Sequence, residues 1–167
     1  GSVLCAVNTA DNRLAVFDAT GTEPVLALEI PVGLDPVSVR FRTPTEVWVV
    51  NHISDSVSVV DLTAGNVVVT LDTADEPCDV IFASNPERAF VSCSQANSVL
   101  VFDPTDLSIP PFSIDILGED PRAMVLSPDG SRVYVAIFDS GNSTTILGGG
   151  LDQGNTLTFP PNIVNDS

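Results

Sequence analysis

The chain has 167 residues, 44% of them hydrophobic, and a positive mean hydropathy, so it can bury one sizeable core and is not intrinsically disordered. Its net charge is −16, from 22 acidic residues against six arginines and no lysine. That surface repels phosphate backbones and excludes nucleic acid as a partner. No apolar run approaches the ~18 residues that cross a bilayer, and no basic stretch followed by an apolar one opens the sequence, so neither membrane insertion nor a signal peptide is expected.

Taken in order, the elements form a repeat. The first unit has an apolar run at Leu4 to Asn8, a second closing at Asp18, and Pro36 ahead of a third. The second unit is the clearest, with strands predicted at Val47–Asn51, Val57–Asp61, Val67–Leu71 and Val80–Ala83, each short, valine-rich and bounded by turn residues. Its "VWVV" is apolar on both faces, as in sheets stacked face to face. The third unit runs from "AFVSC" at Ala89 to Cys93 through Asp103 to Pro121, and a fourth opens with "VYVAI" at Val133 to Ile137. The ends of the four leading strands lie 43, 42 and 44 residues apart. "TPTE", "SNPE" and "SPDG" fill one repeated turn, and no segment holds a helical period.

A four-strand unit of ~40 to 45 residues is the signature of a β-propeller blade. "WVVN" with "SVSVVDLTAGNVVVTL", and "DPRAMVLSPDGSRVYVA" from Asp120 to Ala136, closely resemble the YVTN-type propeller repeat over about residues 3 to 140. The resemblance implies an all-β fold of four-stranded antiparallel blades, incomplete here at about three and a half to four. The repeats fall at roughly 3–45, 46–87, 88–131 and 132–159, with Gly148 to Gly150 a loop insertion or blade edge and 160–167 a linker or exit segment. Because propellers close with ~4 to 8 blades, the expected partner is the remainder of the ring, from the same gene product or another subunit.

In a propeller, the loop entering each innermost strand and the loop between the second and third strands share the face around the channel mouth. The entry loops here place a carboxylate before each proline: Asp35, Glu76 and Asp120, with Arg122 beside the third. Proline fixes the entry conformation. The acids are either solvated loop residues or an acidic rim for a cationic ligand, with calcium the ion that hard oxygen ligands would take. His52, the sole histidine, follows Asn51 onto the same face. Cys78 enters one inner strand and Cys93 ends its partner. They are two unrelated small buried residues, a cross-strand disulfide, or with His52 a metal site.

Three cysteines without CxxC or CxxCH exclude zinc-ribbon, thioredoxin-like and c-type haem readings of this segment. No P-loop, dinucleotide fingerprint or nucleophile elbow is present. The sequence therefore reads as a non-catalytic binding or scaffolding module without a resident cofactor, periplasmic, extracellular or on the cell surface, engaging a protein or a small cationic ligand. The alternative is the propeller part of an enzyme, a lactonase-like hydrolase or a periplasmic redox enzyme with its cofactor in another domain.

Overall fold

The computed structural model describes residues 2–139, together with the backbone of 144–146 and 163–165. Within these residues every regular element is a strand, and no helix is long and apolar enough to cross a membrane. The strands are β1 (Val3–Asn8), β2 (Arg13–Asp18), β3 (Val25–Pro31), β4 (Pro36–Phe41), β5 (Glu46–Asn51), β6 (Ser56–Asp61), β7 (Asn66–Asp72), β8 (Pro77–Ala83), β9 (Arg88–Cys93), β10 (Ser98–Phe102), β11 (Phe112–Asp115), β12 (Glu119–Leu126), β13 (Val133–Asp139), β14 (Thr144–Ile146) and β15 (Ile163–Asn165).

They assemble as antiparallel blades. β4 to β7 and β8 to β11 are two complete four-stranded sheets in sequence order, preceded by the three-stranded β1-β2-β3 and followed by the pair β12-β13. The four strands expected in the second repeat are all present, each longer by one to three residues at its start. Gly148 to Gly150 lie outside the described residues. Ile163–Asn165, within the stretch read as an exit segment, pairs with Thr144–Ile146.

"VWVV" forms the middle of β5 because it is clamped between two blade interfaces. Side chains alternate across a strand, so Val47 and Val49 enter a cluster with Leu14, Val16 and Ile30 of the first blade. Trp48 and Val50 enter another with Val80, Val91, Leu100 and Phe102 of the third. All four residues of that run are fully buried. Trp48 meets Phe82 and Phe102 edge to face, at ring separations of 5.3 and 6.1 Å, and its indole N–H donates to Glu46 Oε1 at 2.9 Å. Arg42 bridges two blades: its guanidinium donates to Glu46 at 3.1 Å and to both oxygens of Glu87, in the next blade, at 2.9 and 3.1 Å. This holds Glu87 below the usual carboxylate range.

The outermost strands have only one neighbour and show it. β11 is exposed along its length and β7 alternates.

Cys93 belongs to the core between the second and third blades. It and Cys78 are free thiols, so of the three alternatives for the pair the cross-strand disulfide is not made. The register explains why: Cys93 lies opposite Pro77, and a bulge between Pro77 and Asp79 sets Cys78 out of the ladder. Burial pushes the Cys93 thiol up from 9.0 to about 12. A folded-state value above the unfolded one gives stability that is complete below pH 9 and lost as pH rises towards 12. Urea denaturation between those pH values should therefore show a steeper loss of stability for the natural protein than for Cys93→Ala. Parallel slopes would contradict the buried thiol.

Candidate functional site

The channel-mouth loops are built by one device repeated three times. Asn12, Asp55 and Asn97 sit at positive φ (55, 47 and 49°), where Asn and Asp are the most tolerant side-chain-bearing residues. Each turns its side-chain oxygen onto the backbone N–H of the acid that enters the next blade. Asn12 accepts from Asp35 at 2.8 Å, Asp55 from Glu76 at 2.9 Å and Asn97 from Asp120 at 3.0 Å. The three acids are themselves at positive φ (57, 53 and 57°), and the carbonyls of Asp35 and Glu76 accept the N–H of His52 and Ser94. Position before proline is thus fixed by loop geometry. The residues that fix it, four after each strand end, were legible only as a second repeated phase.

The rim carboxylates do not converge. Glu76 faces His52 Nε2 at 3.7 Å and accepts from Ser94 Oγ at 3.3 Å, while Asp120 pairs with Arg122 at 3.6 Å. Among the described residues no group of three or more His, Cys, Asp or Glu side chains is placed to hold a metal ion. The three acids therefore form no calcium cage among the described residues, and two of them already have partners. The same finding counts against the His52, Cys78, Cys93 alternative, since Cys93 belongs to the core.

What the fold does bring together is a cleft of about 330 Å³ lined by Val37, Ser38, His52, Cys78, Asp79, Arg122 and Ala123. Six of these are the same two positions in three successive innermost strands. Each of those strands carries a bulge immediately after its proline, and a bulge re-aims the side chain it frees. Val37, Cys78 and Arg122 are the re-aimed residues. His52 reaches over from the second blade, its Nδ1 3.1 Å from the Pro77 carbonyl and 3.9 Å from Cys78 Sγ. Arg122 also lies 5.2 Å over the Phe138 ring.

Asp79 is the residue the sequence did not flag. It is 5% exposed in the middle inner strand. Its Oδ1 accepts from Ser38 Oγ at 2.7 Å and Val80 N–H at 2.9 Å, and Oδ2 from the Met124 N–H at 2.9 Å. Arg40 reaches the two oxygens at 3.4 and 3.3 Å. One carboxylate so joins the inner strands of three blades, with its acceptor capacity filled.

No family model matches the sequence, and no curated protein matches it. The structure is similar to hydrazine synthase of Kuenenia stuttgartiensis, with TM-score 0.76 and 26% identity over 86% of this chain and 41% of that one. It is similar to the periplasmic gluconolactonase of Pseudomonas aeruginosa, with TM-score 0.69 and 18% identity over 99% and 51%. Virginiamycin B lyase of Staphylococcus aureus gives TM-score 0.68 and 10% identity over 93% and 50%. This chain spans about half or less of the length of each. These are propeller proteins, and the fold is an all-β propeller with incomplete blades.

Asp79→Ala should lower stability by roughly 3 kcal/mol, because the Met124 N–H and the Ser38 hydroxyl lose their buried acceptor. Chemical denaturation checks this. A loss no larger than that of an exposed aspartate such as Asp106 would contradict the stitching role.

Proposed function

We propose that this chain is the ligand-holding part of an extracytoplasmic propeller of the YVTN type, a non-catalytic binding module that receives its ligand in the cleft among the three inner strands. One observation carries the reading. The cleft draws equivalent positions from three blades into one site of ~300 Å³ or more, the scale of small-molecule pockets.

The polarity of the cleft sets the ligand class. Its single carboxylate, Asp79, is already saturated, so the group left to engage a ligand is Arg122, half-exposed, whose guanidinium presents N–H donors. A carboxylate-bearing molecule or acidic side chain suits the site better than the cationic ligand expected from the rim sequence, even against the overall charge of −16. Further blades, from the same gene product or another subunit, complete the ring around it. The support for this is that the chain covers only about half of similar propellers. An extracytoplasmic location draws support from the periplasmic gluconolactonase among those structures and from the lysine-free acidic surface. A catalytic reading has one specific observation in its favour, the approach of Cys78, His52 and Glu76. Lactone hydrolysis that disappears with His52→Gln would favour it.

Calorimetry of the intact protein with linear dicarboxylates and the matching diamines tests the binding reading. Dicarboxylates should bind, and Arg122→Gln should weaken them about tenfold, or ~1.4 kcal/mol. Diamines binding more tightly, through Asp35, Glu76 or Asp120, would overturn it.

A further inference from the structure

Among the described residues that line the cleft, Arg122 is the one whose N–H groups lack an acceptor at hydrogen-bond length. The Ser38 hydroxyl donates to Asp79, whose oxygens also receive Arg40 and the amides of Val80 and Met124. His52 gives its Nδ1–H to the Pro77 carbonyl at 3.1 Å, and its Nε2 faces Glu76 at 3.7 Å. The Cys78 thiol donates to the Glu76 carbonyl at 3.6 Å. Each of these groups is already partnered within the protein.

Arg122 is set in place for an anion. Its guanidinium meets Asp120 only at 3.6 Å and lies 5.2 Å over the Phe138 ring. Its backbone is pinned as well: the Ser92 hydroxyl donates to the Arg122 carbonyl and accepts the Asp79 N–H, tying the arginine to the middle inner strand. A cation held before the ligand arrives loses little freedom on binding. The remaining wall is apolar, with Val37 at the equivalent bulge of the second blade and Ala123 after Arg122, both exposed. Beside His52 the rim carries Ile53 and Leu34, also exposed and joined by the Ile53 N–H to the Leu34 carbonyl.

We propose that the ligand of this cleft is an amphiphilic monocarboxylate, its one carboxylate paired with Arg122 and its hydrocarbon chain lying along Val37, Ala123 and the Cys78 side chain. This rests on the cleft being the ligand site. With one guanidinium in the wall, a second carboxylate goes unpaired against the net charge of −16. Ligand hydroxyls that enter lose water without replacement, because the polar groups of the wall are partnered. Each methylene removed from water, by contrast, adds to binding. The site thus selects against diacids and sugar acids by what it lacks, and against neutral chains by the arginine it holds.

Three six-carbon acids, hexanoate, adipate and gluconate, test this by calorimetry on the intact protein. Hexanoate should bind about tenfold more tightly than either of the others. Octanoate should gain roughly threefold for each added methylene. Arg122→Gln should weaken hexanoate about tenfold. Val37→Ser should weaken it about threefold and leave gluconate unchanged. Emission of the buried Trp48 verifies that each variant is folded. Adipate binding that depends on Arg122, with hexanoate no tighter than gluconate, overturns the amphiphile proposal alone. Hexanoate affinity unchanged by Arg122→Gln places the acid elsewhere and overturns it too. Binding of none of the acids overturns both this proposal and the reading on which it rests.

Discussion

The carboxylate of Asp79 is the interaction on which the arrangement of the site depends. A blade's four strands are held by their own ladder, but neighbouring blades share no ladder. Their innermost strands must be registered by side chains. Asp79 does this for three blades at once, receiving Ser38 and Arg40 from one side and the Met124 amide from the other. A buried acceptor is costly when unmatched, so the same group that orders the inner strands penalises any shift between them. The cleft borders this contact directly, with Ser38, Asp79 and Ala123 in its wall.

Farther from the axis the blades are joined by apolar packing that tolerates small shifts, and at the opposite end of the strands by Arg42 bridging Glu46 and Glu87. Trp48 is central to the packing and coupled to the bridge through its N–H bond to Glu46. The inter-blade interface is therefore apolar in the middle and pinned by charge-assisted bonds at both ends. Those bonds fix register more than they add stability, since Arg40 and Glu87 remain partly solvated.

Most of the blade architecture was legible because it is written in local pattern. Valine runs separated by turn residues and repeating every 42 to 44 residues locate the strands, and "VWVV" announces a strand buried on both faces. The site was legible in part. His52, Cys78 and Arg122, chosen for their place near strand ends, do meet in one cleft. The acids before proline drew attention for their charge, whereas positive φ and the bracketing Asn12, Asp55 and Asn97 account for their position. Asp79 escaped notice because its burial arises only when three blades assemble. The available signal was a charge inside an apolar strand, at a position held by Ser38 and Ala123 in the flanking repeats. Side-chain direction at a bulge was likewise invisible, which is why a Cys78–Cys93 bond looked feasible from spacing.

Amide hydrogen exchange at Met124 tests the central claim most directly, comparing the natural protein with Asp79→Ala and using the β5 and β6 amides as reference. If the carboxylate registers the inner strands, the Met124 amide should exchange about 100-fold faster in the variant while the reference strands keep most of their protection. Equal protection of Met124 in both proteins would mean that the inner strands are held in register without Asp79, and would contradict the account.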